Sequence, residues 1–310
     1  MKAKQARQIE VAQENGREIE ITHPDKVLFP EDGITKGDLV RYYQAIGERM
    51  LPYLEGRPLA MQRFPDGIDR PGFFQKAAAK YYPEWIETAT VAKAGGTVRH
   101  VVCNDVAILI YLANQACITH HVWLSRVDKL EYPDQMIFDL DPSTGDLSEV
   151  IEAAYALKDV LDNLELPSYV KATGSRGLHI AVPLDRKEDF DSVRGFARGV
   201  AEVVAARAPT RYTMEQSKLK RRGRLFLDVN RNAYAQTAVA TYAVRARRGA
   251  PVSVPLRWDD LRQKDFRPDG ATMQTVLRHL DKIEDPWKEF WSRRLSLDKA
   301  RRKLPRLDAG

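Results

Sequence analysis

The sequence predicts an α+β fold of layered sheets and helices, and three observations carry that expectation. Strand-like and helix-like segments intermix along the chain without the strict alternation of a doubly wound parallel sheet. Apolar residues make up 44% of the 310 residues and charged residues 30%, enough to bury a core and too apolar for a disordered chain. The most apolar stretch, residues 101–118, is broken by Asn104, Asp105, Asn114 and Gln115, far short of a membrane span.

The elements follow in order. Residues 1–18 are charged and helix-permissive, and read as a mobile arm or surface helix. Residues 18–21 form a short strand entering a turn at His23-Pro24-Asp25-Lys26. Thr35 can cap an amphipathic helix over 35–53, where Leu39, Tyr42, Tyr43, Ile46 and Met50 recur at helical spacing. A strand over 58–64 leads into a Gly/Pro-rich loop, a short strand covers 98–102, and 105–116 has helical periodicity. Further on, strands at 135–141, 169–173, 178–184 and 225–229 alternate irregularly with helices at 147–164 and 189–206. No repeat, low-complexity linker or clear boundary divides the chain. It therefore reads as an arm (1–17), one catalytic region (18–292) and a basic tail (293–310) forming an exposed helix or arm.

Lys and Arg number 49 against 43 Asp and Glu, a net charge of +6, so any basic function must come from clustering rather than bulk charge. Two cysteines, Cys103 and Cys117, cannot build a disulfide framework or an all-cysteine zinc site, and they fit a reducing compartment. The first sixteen residues carry no apolar segment of the secretory type. A cytoplasmic protein with no membrane association is expected.

The sharpest feature is Ile137-Phe138-Asp139-Leu140-Asp141-Pro142. Side chains two apart on a strand share a face, with Cα atoms about 6.6–7 Å apart. Asp139 and Asp141 would project together while Phe138 and Leu140 enter the core. Two such carboxylates repel unless a cation sits between them, and Mg²⁺ or Mn²⁺ suits oxygen donors. A solvated strand end with two surface aspartates is the alternative. A second apolar strand carries Asp228, which needs either a salt bridge to Arg224 or Arg231, or an ion. Facing the dyad, it would complete three carboxylates able to hold two divalent ions for phosphoryl transfer.

Between these strands, Thr173-Gly174-Ser175-Arg176-Gly177-Leu178-His179 offers a glycine turn with donors for an anion, or a plain hairpin. His179 alternates with Leu178 and Ile180 and is either structural or part of the site. Lys218-Leu219-Lys220-Arg221-Arg222-Gly223-Arg224 sets five cations in seven residues; beside a metal centre they would track a polyphosphate or nucleic-acid backbone, and otherwise form a solvated face. Phe73 and Phe74 offer stacking surface for bases, or core.

Asp139-Leu140-Asp141-Pro142, then Gly174-Ser175-Arg176-Gly177-Leu178-His179, then Asp228, in that order and spacing, resemble the archaeo-eukaryotic primase superfamily, above all the polymerase domain of bacterial ligase D of non-homologous end joining. Matching stretches include His23-Pro24-Asp25-Lys26-Val27-Leu28-Phe29-Pro30, Arg63-Phe64-Pro65-Asp66-Gly67, Gly72-Phe73-Phe74-Gln75-Lys76, His121-Val122-Trp123 and Tyr242-Ala243-Val244-Arg245, together covering roughly 18–290. The resemblance implies two packed mixed sheets flanked by helices, with the active site in the cleft between them. It implies a DNA-repair polymerase or primase adding nucleotides to a primer 3′-hydroxyl, with two Mn²⁺ or Mg²⁺ ions on Asp139, Asp141 and Asp228. Arg63, Phe74, His121, Thr173, Ser175, Arg176, His179 and Arg245 would serve the incoming NTP or dNTP, with ribonucleotides preferred. Lys26 and Lys36 would hold a downstream 5′-phosphate of gapped or broken DNA, Phe73 the template side, and Lys220 and Arg221 the backbone. The implied partners are DNA, Ku and a DNA ligase, for a monomer working at the nucleoid of a prokaryote. Three departures stand out: Arg176 replaces the lysine of many relatives, His23 their asparagine, and the tract 121–139 is short. No lysine motif of an ATP-dependent ligase and no phosphoesterase segment is visible, and Met1 favours a stand-alone protein.

Two rivals remain at this level. Asp139-x-Asp141-x-Ser143 with Asp259-Asp260 imitates a haloacid-dehalogenase-like phosphatase using Asp139 as nucleophile, although that loop normally opens its domain. A non-catalytic nucleic-acid binder would use only the basic clusters and leave the three carboxylates unexplained.

Overall fold

The computed structural model describes residues 9–93, 95–143, 145–280, 282 and 284–307. The chain forms two compact units, each assembled from three stretches: 1–122, 239–252 and 272–282 in the first, and 123–238, 253–271 and 283–310 in the second. Residue 18 falls inside the first unit and residue 292 inside the second.

The second unit is built on a six-stranded mixed sheet. Its strands run in the order Tyr212–Thr213, Leu225–Asp228, Gln135–Leu140, Leu178–Pro183, Tyr169–Ala172, Val254–Leu256, and only the first pair is parallel. Met136, Phe138, Leu140, Leu178, Ile180, Val182, Leu225 and Leu227 all enter one apolar core. The helices Leu147–Asn163 and Phe190–Arg207 contribute Val150, Leu157, Leu161, Val193, Phe196 and Val200 to that core. Asp146 and Asp189 cap the two helices by accepting from the amides of Ser148 and Ser192. All six residues of Gln135–Leu140 and of Leu178–Pro183 are buried, so Asp139 and His179 stand in strands covered on both faces.

In the first unit Thr35 and Asp38 form a capping box that starts the helix Lys36–Leu54. Its apolar face carries the expected Leu39, Tyr42, Tyr43, Ile46 and Met50, all fully buried. A Cβ on Gly47 would lie 2.6 Å from Val106, so the glycine lets the helix Val106–Asn114 approach closely. Beside them Leu59–Arg63 pairs antiparallel with Cys117–Trp123 and with Phe73–Gln75. Tyr43 Oη donates to Ile118 O at 2.6 Å, and Tyr42 Oη to Tyr242 O at 2.8 Å, tying the helix to that layer. Cys103 and Cys117 are buried free thiols.

Two expectations change. The arm 1–17 is not a helix where it is described: Ile9–Glu14 pairs with Arg17–Thr22, and the Asn15-Gly16 turn has both φ values positive, the geometry of a type I′ hairpin. Of the exposed helix or arm expected for the tail, the helix is present: Asp298–Leu307, whose Ala300 joins the apolar core, while Lys299 and Lys303 pair with Glu165 and Arg301 with Glu188. Phe73 and Phe74 belong to a short edge strand rather than a loop. Among the described residues, no helix is long and apolar enough to cross a membrane.

Candidate active site

The register of the six-stranded sheet lines up a row of ionisable residues. Asp139 stands opposite Asp228 on one side and His179 on the other, and His179 stands opposite Lys171. Directly opposed residues of antiparallel strands have Cβ atoms about 4.5–5.5 Å apart on one face. The order across four strands is thus Asp228, Asp139, His179, Lys171. Asp139 is 6% exposed. Its Oδ2 accepts from Arg231 Nε at 3.0 Å, and its Oδ1 lies 3.4 Å from His179 Nε2. Burial alone would raise the Asp139 carboxyl, but His179 and Arg231 outweigh it and hold the group far below the usual carboxylate range. Burial lowers His179 despite the upward pull of Asp139, and Lys171 adds to the lowering. Asp228 is half-buried and accepts from the Asn230 amide at 2.7 Å. Neither Arg224 nor Arg231 pairs with it: Arg224 donates to the carbonyls of Arg221, Pro209 and Lys220, while Arg231 serves Asp139.

Asp141 lies one residue beyond the strand end and is exposed. The turn after Thr173 packs directly against it. A Cβ on Gly177 would fall 2.2 Å from Leu140 O and 2.5 Å from Asp141 Oδ1, so only glycine fits. Thr173 donates its hydroxyl to Gly177 O at 2.9 Å and its amide to the same oxygen at 3.1 Å, and Gly174 N donates to Pro268 O at 3.1 Å. The Thr173 amide is thus engaged within the turn and the Gly174 amide by the Pro268 carbonyl. The exposed donor there is Arg176, beside a half-buried Ser175.

Asp139, Asp141 and Asp228 are hard oxygen donors on neighbouring strands, the chemistry a Mg²⁺ or Mn²⁺ ion takes. As placed, Asp139 is neutralised by Arg231, and among the described residues no three His, Cys, Asp or Glu side chains converge closely enough to hold an ion. The donor set fits a divalent cation in kind, with Arg231 the resident counter-charge.

The first unit brings the other expected residues into two pairs. Phe74 meets His121 edge-on at 5.2 Å, and Arg63 lies 5.5 Å over the Phe73 ring. Arg63 is pinned by Gln115 O at 2.8 Å and Gln75 Oε1 at 2.7 Å, while Phe73 and Phe74 are 48% and 56% exposed. Arg245 is half-buried, with its amide on Pro251 O at 2.7 Å. Lys26 and Lys36 are neighbours through the bond from Lys36 N to Lys26 O at 2.8 Å. Lys36 is 5% exposed, with Nζ 3.2 Å from Thr22 Oγ1, at the first position of its helix, where the helix dipole opposes a cation and favours an anion. Lys26 pairs with Asp66 at 3.1 Å. His23 adopts φ +51°, in the left-handed region that asparagine also takes readily.

Of the basic pair in the second unit, Lys220 is exposed, whereas Arg221 is structural: it stacks 4.2 Å over Phe226 and donates to Glu215 O and Gln216 O. Sequence reasoning missed Lys171 and missed Arg231 as the partner of Asp139. A buried lysine in the apolar segment Tyr169–Ala172 was the available signal; the pairing of Arg231 depends on register. Asp259 pairs with Arg262, and Asp260 accepts from the Arg257 amide.

The family model described as the LigD primase-polymerase domain matches residues 35–287. The multifunctional non-homologous end joining protein LigD of Mycolicibacterium smegmatis is 32% identical over 86% of this chain and 35% of its own length. That of Pseudomonas aeruginosa is 30% identical over 92% and 34%, and the bifunctional LigD of Bacillus subtilis 29% over 88% and 44%. The chain thus spans about a third to under half of these curated relatives. The solved polymerase domain of Mycobacterium tuberculosis ligase D, in complex with DNA, superposes with a TM-score of 0.84 at 30% identity, covering 89% of this chain and 99% of that one. Nothing in these likenesses favours the phosphatase. Fold, register and sequence agree on one conclusion: the chain belongs to the LigD primase-polymerase domain family.

Proposed function

We propose that this chain is a DNA-repair nucleotidyltransferase that adds nucleotides, preferring ribonucleotides, to a primer 3′-hydroxyl at gaps and double-strand-break ends, through residues 18–292. The observation that carries it is the cross-strand row Asp228, Asp139, His179, Lys171 in a member of this family. In the reaction the primer 3′-hydroxyl gives its proton to solvent, its oxygen bonds to the α-phosphorus, the bond from that phosphorus to the bridging oxygen of the β-phosphate breaks, and pyrophosphate leaves. Asp139, Asp141 and Asp228 would hold two Mg²⁺ or Mn²⁺ ions, which when bound lower the pKa of the hydroxyl and balance the charge on the leaving group. Arg231 and His179 fix the Asp139 carboxylate in its ionised form, and Arg176, Thr173, Ser175 and Arg245 take the triphosphate and sugar. Phe74 and His121 present a surface for the base beside Arg63, with Phe73 on the template side. Lys26 and Lys36 meet the downstream 5′-phosphate, and Lys220 meets the backbone.

Partner proteins in this reading are Ku and a DNA ligase, around a monomer acting in the prokaryotic cytoplasm at the nucleoid. The test is primer extension on a gapped duplex with Mg²⁺ or Mn²⁺, comparing ATP with dATP opposite template T. Extension with higher kcat/KM for ATP is expected, since a site that bonds the 2′-hydroxyl leaves polar groups unpaired without it. A wild-type chain that extends no primer with either metal overturns the reading, and a preference for dATP overturns the sugar choice.

A further inference from the structure

We propose that Leu219 is an apolar wedge that enters a base step of an opened or broken DNA duplex, with Lys218 and Lys220 holding the phosphates on either side. The inference rests on the nucleic-acid reading above and adds a contact to it. Leu219 is 94% exposed, against 64% for Tyr81, the next most exposed large apolar side chain among the described residues. It sits in the single-turn helix Lys218–Arg221. Successive residues of a helix point about 100° apart, so Leu219 and Arg221 point about 200° apart, nearly opposite. Arg221 is the inward anchor, stacked at 4.2 Å on Phe226 and bonded to Glu215 O and Gln216 O at 3.0 and 2.9 Å. Arg224 Nε donates to Arg221 O at 2.9 Å from below, and Arg222 and Gly223, with φ +53° and +80°, turn the chain away. Leu219 therefore forms the crest of a buttressed turn, with Lys218 and Lys220, both exposed, about 100° to either side.

No acidic residue interrupts the run from Ser217 to Arg224. The complementary partner has an apolar interior and a dense anionic rim. A DNA duplex has that form, with stacked bases inside and a negative charge for about every 1.7 Å of axis. Leucine is one of the side chains that duplex-kinking proteins insert between base steps, at the cost of unstacking. That cost is lowest at a gap or frayed end, where the family acts and where the stack is already interrupted on one side.

The test uses the full chain and a gapped, 5′-phosphorylated duplex carrying 2-aminopurine beside the gap. Wild type should raise the fluorescence as it unstacks that base. Leu219→Ala should abolish the rise and weaken binding about tenfold with an unchanged salt slope, and Leu219→Phe should restore both. Lys218→Ala and Lys220→Ala should keep the rise at saturation and each flatten the salt dependence by roughly 0.9 log units. The wedge is overturned if Leu219→Ala matches wild type in fluorescence and affinity, or if it loses binding only to an acidic, leucine-containing peptide. A wild type that extends no primer takes down the polymerase reading; a wild type that extends primers while Leu219→Ala is indistinguishable takes down the wedge alone.

Discussion

Each of the two units carries a central strand with a buried histidine, and the two are treated in opposite ways. His179 in the second unit faces Asp139 at 3.4 Å and stands in a row of ionisable side chains fixed by strand register. His120 in the first unit is fully buried beside Tyr43, at 4.7 Å between rings, and neither ring nitrogen has a hydrogen-bond partner. The first unit carries its open aromatic side chains, Phe73 and Phe74, at a sheet edge. The lesson concerns where fixed electrostatics can be built. Charges that must stay in register sit in the middle of a sheet, where neighbouring strands define every spacing. The open aromatic surface of Phe73 and Phe74 sits on a short edge strand.

The comparison breaks most severely if the row is not catalytic. Asp228→Ala should remove nearly all nucleotide addition while the fold persists, because in the proposed reading the three carboxylates act as one unit and their effects do not add. Primer extension at the wild-type rate by that variant would end the assignment. Gly177→Ala should come next. A Cβ there meets the Leu140 carbonyl at 2.2 Å, a backbone atom that cannot step aside without moving Asp141. The expected cost is about 1–3 kcal/mol of stability, with kcat falling far more than KM rises. Wild-type kcat in Gly177→Ala would mean that Asp141 does not need its present position.

What was legible follows the same division. The helix starting at Thr35 declared itself through a capping signal and five apolar positions at helical spacing, all now buried. The Asp139-Asp141 pair declared itself because a carboxylate in an apolar run demands an explanation. Asp139 meets the expected core on its flanks, but its partners could not be read. Arg231 is 92 positions away and Lys171 lies two strands over, and only the register joins them. The strand Cys117–Trp123 gave no alternation because nearly every residue in it is buried, which erases the period-two signal. Asn15-Gly16, by contrast, was a readable hairpin signal, masked by the helix-permissive composition around it.

A smaller effect tests the first unit as a ligand platform. Lys36 is buried at a helix N-terminus, where its own charge is disfavoured by the dipole and an anion would be favoured. Lys26→Ala with Lys36→Ala should weaken binding to a 5′-phosphorylated gap and barely change binding to the 5′-hydroxyl version. The salt slope should flatten by roughly 0.9 log units per lost phosphate contact. Equal binding of the two gaps by wild type at physiological salt would show that no terminal phosphate is recognised.

The smallest effect sharpens the contrast between the two histidines. Burial pushes the His120 imidazole down to about 3, with no partner to oppose it. In the unfolded chain the same group titrates near 6.5. Below that value the unfolded chain binds a proton that the folded chain refuses, so the folded state loses stability as the pH falls. The loss approaches about 1.4 kcal/mol per pH unit and ends only near the folded pKa. Between pH 7 and pH 5 it amounts to about 2 kcal/mol from this residue alone. His100 and His179 are lowered by burial as well and add their own slopes, so the informative quantity is the difference between two proteins. His120→Phe keeps an aromatic ring against Tyr43, removes two unsatisfied nitrogens and removes the titration. It should match or exceed wild type at pH 7 and exceed it by about 2 kcal/mol more at pH 5, in urea unfolding at both pH values. Parallel pH dependences in wild type and His120→Phe would mean that His120 is protonated in the fold or reaches water, and the two histidines would then no longer be opposites.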